Sequence, residues 1–456
     1  FDDVNLRALT DGATVMVTLA AEGRIGIGHD GDRLDVRGAN AGSTLQIVTT
    51  GSLYDISTGS AAATATGWLS LVADGGIGSS DSPFRVALGG ATSLILQSGG
   101  DAHVAQTGSA TLTVEKALAG GNLSISSGQD MVIGALTAVG TVTLTAGGDL
   151  TDQFADDADA AVNIDAGALV LDIGGNVGAA GNAIEIDLTG GISGRVGGDL
   201  TLVDFDRLDL GGDLAVTGNA SIEARNSIFG AEGATLSAAD LVLTSLSGDI
   251  GKAAQSLDIL TSGKLIAQAV TRVFLSSEGG AEIDRITAAT TVVLGFAGAL
   301  RDGRSAGDRT AARANITTTD LRVTSGDFGA ADAALATDVE TLGFDVTGGL
   351  WLAEADALQL TVASTATGSA RIVTGGDLTL TQALSVTTGG AGERLRLHSG
   401  GALALSADVS LAAGDLSLEA TGAVTLTGAT VASRSGALSL DAASLTVTGP
   451  GAALTA

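Results

Sequence analysis

Gly375-Gly376-Asp377-Leu378-Thr379-Leu380 reads as a turn followed by a strand, and variants of it recur along the chain. The same six residue types stand at Gly197–Leu202, a close copy is Gly211-Gly212-Asp213-Leu214-Ala215-Val216, and looser copies begin at Gly120 and Gly400. What persists is a pair of glycines and an alternation of apolar with small residues. Asp377 becomes Asn122 or Ala402 in the looser copies. A ligand required in every copy would not vary so freely, so the phrase is the corner of a coil.

Period-two alternation dominates the rest. Thr141-Val142-Thr143-Leu144-Thr145, Leu416-Ser417-Leu418-Glu419 and Val424-Thr425-Leu426-Thr427 each put apolar side chains on one face and small polar ones on the other, the pattern of a half-buried strand. No capped segment shows sustained 3.6 periodicity; Ala311 to Ala314 and Ala330 to Ala336 come nearest to helical by composition. The landmarks Gly349, Gly376, Gly401 and Gly422 lie 27, 25 and 21 residues apart, and each interval holds two or three short strands. That is the size of one rung of a solenoid. The expected fold is therefore all-β, an elongated single-stack parallel β-helix (β-solenoid) with rungs of about 20–27 residues. At roughly 4.8 Å per rung, about 20 rungs would give a rod on the order of 100 Å.

A longer repeat lies over the rungs. Gly-x-apolar-Gly, followed by an apolar residue six positions after the last glycine, occurs at Gly75–Gly78 with Phe84, Gly175–Gly178 with Ile184, Gly248–Gly251 with Leu257, and Gly326–Gly329 with Leu335. Each copy marks an enlarged, loop-bearing rung, at about 44–88, 141–188, 221–260 and 291–342. Residues 1–347 are read as a solenoid carrying these rungs and 348–456 as its more regular continuation.

Composition narrows the function. Glycine occurs 68 times and proline twice, so the glycines are expected to supply the positive φ angles of tight turns rather than mark a disordered tract. Aromatics are only 3%, which suits a narrow aliphatic core and not a carbohydrate cleft or a base-stacking surface. The net charge of -29 argues against nucleic acid and anionic membrane as partners. No cysteine is present, which removes disulfides and thiol chemistry. No apolar run is long enough for a membrane-spanning helix. The opening Phe1-Asp2-Asp3-Val4 shows no signal peptide, so the expectation is that one was removed or that this is a slice of something longer.

Candidate chemistry is sparse. The one concentrated basic feature is the loop carrying Arg301, Arg304, Arg309 and Arg313, which could engage an acidic glycan or a neighbouring acidic shaft; self-compensation with Asp302 and Asp308 is the favoured reading. Asp204 and Asp206 would share one strand face, and Asp156, Asp157 and Asp159 sit together in a loop, but no base or aromatic is matched to either set, and solvated turn acids are the favoured reading. No cofactor is expected: calcium is the one ion the Gly/Asp turns suit, and Gly28-His29-Asp30-Gly31-Asp32-Arg33-Leu34-Asp35 faintly resembles a calcium-binding nonapeptide, but it is not repeated in tandem, and turn chemistry in which Asp accepts backbone hydrogen bonds is the favoured reading. His29, His103 and His398 are too dispersed for a zinc or copper site. Trp68 and Trp351 stand in strand-like contexts and are expected to pack beneath a loop.

The Gly-Gly-Asp-Leu-Thr-Leu phrases, with Ser247-Gly248-Asp249-Ile250-Gly251 among Ala/Gly/Thr/Leu-rich rungs, resemble the large bacterial filamentous haemagglutinin-type proteins, and related repeats occur in autotransporter passenger domains. The resemblance implies a secreted adhesin of the two-partner pathway, built as a right-handed parallel β-helix. It implies an extracellular, cell-surface location, an outer-membrane secretion transporter as partner, and no catalytic residue. The family's secretion domain carries Asn-Pro motifs; here only Pro83 and Pro450 exist and neither follows Asn, so this segment would belong to the shaft.

The function expected is thus a non-enzymatic shaft segment that helps attach a bacterium to a host, neighbouring-cell or matrix surface. The alternative is a structural filament or surface layer in which copies associate end to end or laterally, suggested by Leu445-Thr446-Val447-Thr448, which reads as a rung without a polar cap. A polysaccharide-acting β-helix enzyme ranks third.

Overall fold

In a computed structural model the chain is a parallel β-solenoid of about 20 turns. The structure describes residues 3–9, 14–90, 92–154, 161–310, 313–362, 364–387 and 394–456. Among them the only helix is Ala306–Thr310. The chain divides into two compact units, Phe1–Arg225 with Gly233–Ser237, and Asn226–Glu232 with Ala238–Ala456.

In the second unit the regular rungs each carry three short strands. Leu350–Glu354, Leu358–Leu360 and Ser364–Ala366 make one rung; Ala370–Thr374, Leu378–Leu380 and Leu384–Val386 make the next. Parallel register stacks like on like: Leu358, Leu378, Leu403 and Val424 form one inward column, and Leu350, Ala370, Leu395 and Leu416 another. All eight are buried. Each buried Leu contributes about 2 kcal/mol relative to exposure. The intervening residues, such as Thr379 and Ser417, face outward, as the alternation demands. The first unit follows the same rule, with columns Leu45, Leu69, Leu94 and Leu112, Met131, Leu150.

The corner phrase has a different physical basis from the one composition suggested. None of Gly197, Gly198, Gly375, Gly376, Gly400 and Gly401 has a positive φ. They are glycine because the rung beneath leaves no room: a Cβ at Gly400 would overlap the Gly375 carbonyl, and one at Gly401 would overlap Asp377 Oδ1. That Asp oxygen is there because it accepts the Ala402 N–H at 2.7 Å, bridging one corner to the next. In the first unit, Asp130 accepts from Asp149 N–H at 2.9 Å, Asp149 from Asn176 at 2.7 Å, Asn176 from Asp199 at 2.8 Å and Asp199 from Asn219 at 2.7 Å. Asn serves as well as Asp because the job needs only an acceptor oxygen, which accounts for the exchange between copies.

Positive φ is confined to other glycines, among them the last glycine of each longer repeat: Gly78, Gly178, Gly251 and Gly329, at 62°, 63°, 71° and 78°. Each is followed by a four-residue turn closed by a reciprocal pair of backbone hydrogen bonds, Ser79 with Ser82, Ala179 with Asn182, Lys252 with Gln255 and Ala330 with Ala333. The residue six positions on, Phe84, Ile184, Leu257 or Leu335, is then buried at the start of the next strand. Ala330 to Ala336 is accordingly a turn entering the strand Leu335–Val346, and not helical. Its alanines sit where a tight turn tolerates any small side chain. The helix Ala306–Thr310 precedes the stretch Ala311 to Ala314, of which residues 311 and 312 lie outside the described residues.

Candidate functional site

The loops of three enlarged rungs are held by a polar clamp, seen most fully at residues 302–315. Strand Leu300–Asp302 ends in an aspartate whose Oδ1 accepts the Arg304 N–H at 3.0 Å. The chain loops out and returns at Asn315, which is fully buried. Asn315 Nδ2 donates to Asp302 Oδ1 at 2.8 Å and to the Ile283 carbonyl at 2.6 Å, and its Oδ1 accepts the Ala336 N–H at 2.9 Å. One side chain thereby ties three rungs and the mouth of the loop. The first unit repeats the arrangement: Asn163 Nδ2 donates to Asp152 Oδ1 at 2.6 Å and to the Gly134 carbonyl at 3.2 Å, and Asn163 Oδ1 accepts the Glu185 N–H at 2.8 Å. In the loop after Asp55 an arginine takes the part, Arg85 Nε donating to Asp55 at 2.7 Å and Nη2 to the Ser57 carbonyl at 2.6 Å.

The arginine loop is built on this clamp. Arg304 is 8% exposed and pairs with Asp302 through Nε and Nη2, both at 2.9 Å, while Nη1 donates to the Arg313 carbonyl. Arg309 Nε also reaches Asp302, at 2.9 Å. Burial alone would raise the Asp302 pKa, but the hydrogen bonds from Arg304 and Asn315 outweigh it and bring it down to about 2. Arg313 pairs with Asp284 and, at 3.4 Å, with Asp308. Arg301 is half-exposed and lies 3.8 Å from Asp327. The four arginines therefore meet aspartates within the same neighbourhood, and Arg304 is interior to the loop.

Other candidates resolve in the same way. Asp204 is fully buried at the end of strand Leu200–Asp204, whereas Asp206 is exposed in the following turn, so the two do not share a strand face; Asp206 N–H donates to Asp204 Oδ1 at 2.8 Å. Burial pushes the Asp204 pKa up to about 6. Asp156, Asp157 and Asp159 lie outside the described residues. In the Gly28 to Asp35 stretch, Asp30 pairs with Arg7 at 3.4 Å, Asp35 with Arg33 at 2.7 Å, and His29 is buried against Thr49 at 3.0 Å. Trp68 is 38% exposed on its strand, and Trp351 lies on an outward face with its indole across Gly349, where a Cβ would overlap the ring.

Two arrangements escape a reading of the sequence because they assemble only through rung register. On the outward face of strands Leu350–Glu354, Ala370–Thr374 and Arg394–Ser399, Trp351, Arg371 and Arg396 stack in one column, with Val373 and His398 beside them. Arg396 and His398 converge on Glu419, at 2.5 and 3.1 Å, and the Arg396 hydrogen bond holds that carboxyl down to about 2. The second is acidic: carboxylate oxygens of Asp338, Glu354 and Asp356 lie within 4.8 Å of one another. Glu354 is 5% exposed, and burial raises its pKa despite hydrogen bonds from Thr337, Val339 and Ala355.

No protein-family model matches the chain, and no curated protein or solved structure matches it. The functional reading rests on the residues themselves.

Proposed function

We propose that the chain is a non-enzymatic shaft segment of a large bacterial cell-surface adhesin, displayed outside the cell and contacting a host, neighbouring-cell or matrix surface. The observation that carries this reading is where the charged loop and turn groups go. Asn315, Asn163 and the corner Asp/Asn ladder bond to neighbouring rungs, and Asp302 and Asp152 bond to the two asparagines, so these polar groups are committed to holding the coil. A repeated module fastened in this way suits a scaffold that displays surface. The outward column of Trp351, Arg371 and Arg396 supplies contact groups in an otherwise acidic protein, and Arg371 offers its guanidinium to a partner bearing anions.

Immunogold labelling of intact producing cells with antibodies raised to this chain tests the location this function requires. Dense label on unpermeabilised cells, removed by external protease, is the expected result. Label that appears only after permeabilisation contradicts the proposal.

A further inference from the structure

The four enlarged rungs place a buried polar residue at one equivalent position, the end of the strand that follows each hairpin rung: Gln106, Asp204, Ser277 and Glu354. Three of them are matched to their surroundings. Gln106 Oε1 accepts the Leu88 N–H and its Nε2 donates to the Leu88 carbonyl, both at 3.1 Å. Ser277 Oγ accepts the Gly279 N–H at 3.1 Å. Glu354 stands in register between Thr337 and Thr374, and its oxygens accept from Thr337 Oγ1 at 2.6 Å, from the Val339 N–H at 3.1 Å and from the Ala355 N–H at 2.9 Å.

Asp204 is the exception. It is 0% exposed and stands in register between Ile186 and Ala224, both buried and aliphatic. Its Oδ1 accepts the Asp206 N–H at 2.8 Å, as Ser277 Oγ does in its copy, but its Oδ2 is buried with no hydrogen-bond partner. A carboxylate charge held there is costly, and a bound proton removes it. The charged groups around it do not offset that cost. Strand Ile184–Leu188 on one side carries Glu185 and Asp187, strand Ala220–Ala224 on the other carries Glu223, and the turn and strand that follow carry Asp206, Arg207 and Asp209. Arg207 pairs with Asp209 at 2.5 Å, and the Arg225 guanidinium lies over the Phe205 ring at 3.7 Å.

We propose that Asp204 is a proton-dependent fastener of the coil: as the neutral acid it keeps the end of strand Leu200–Asp204 packed, and on losing its proton it loosens that end and the turn after it, as the carboxylate moves toward water. Burial lifts this carboxyl from its ordinary 3.8 to about 6, against the Asp206 hydrogen bond and with added repulsion from Asp187, Asp206 and Asp209. The folded chain thus holds the proton more tightly than the unfolded chain. The stability contributed here is complete below about pH 3.8, falls as the pH rises through about 6, and is absent above that. The device is independent of the adhesin reading, since it acts within the coil whatever the coil displays.

The test is native-state hydrogen exchange of the full chain between pH about 4 and about 7.5, expressed as protection factors so that the intrinsic pH dependence of exchange divides out. Salt of about 0.15 M screens the diffuse repulsion of the acidic surface. In the wild type, protection of residues 200–209 should fall over this range by on the order of a hundredfold relative to residues 394–456. Two neutral variants remove the titrating group. Asp204→Asn keeps the Oδ1 acceptor, and Asp204→Ser places at 204 the residue type that the equivalent position 277 already carries. Both should abolish the relative fall, and Asp204→Asn should be better protected than the wild type at the upper pH. Wild-type protection at 200–209 that follows residues 394–456 across the range, or a fall that persists in either variant, overturns the proposal.

Discussion

Asp377 and Gly401 show, at the scale of single residues, how a corner of this coil is specified. The aspartate reaches up to the Ala402 N–H, and its Oδ1 then occupies the space that a Cβ at Gly401 would need. Gly and Asp are thus one constraint written twice, a rung apart. Gly401→Ala should cost about 2 kcal/mol by forcing that oxygen aside, and Asp377→Ala about 1 kcal/mol for the lost hydrogen bond. The double variant should be more stable than the sum of the two predicts, because removing the oxygen vacates the space. Urea denaturation of the four proteins in the cycle measures this, and strict additivity would mean that the two residues are not coupled. The repetition of Gly-Gly-Asp was legible in the sequence. Its cause was not, because a glycine required by close approach looks in sequence like one required by positive φ.

Among elements, the enlarged rungs combine a fixed part with a variable one. The fixed part is the Gly-x-apolar-Gly hairpin, whose spacing the sequence displays because every turn residue is local. The variable part is the loop, closed by a clamp between Asp302 and Asn315 or between Asp152 and Asn163, whose members are separated by loops of different length. The sequence drew attention to the four arginines of the 301–313 loop, yet the residue that closes it is Asn315, which carries no charge. Asn315→Ala removes three buried hydrogen bonds and leaves the Ile283 carbonyl and Ala336 N–H without that partner. A loss of about 2–4 kcal/mol is expected. Hydrogen exchange should accelerate in residues 302–310 more than in the regular rungs from 394 onward. Uniform acceleration across both regions would contradict the clamp.

For the whole molecule, the fold class followed from the sequence because rung stacking is a nearest-neighbour problem that each short strand repeats. What did not follow are the groupings made by register. Trp351 and Arg371 touch the same column, and Asp338 meets Glu354, only because the coil brings positions a full turn apart side by side, and turns of unequal length hide that from any fixed spacing. The outward column gives the proposed adhesin its contact groups. The central functional claim is that these side chains hold and display a scaffold and do not carry out catalysis. Its most direct test is to incubate the full chain, with and without Ca²⁺, with a panel of acidic and neutral polysaccharides and follow product size over time. The account predicts that chain lengths stay unchanged throughout; sustained turnover that is abolished by a single substitution such as Asp338→Asn or Asp206→Asn would contradict it.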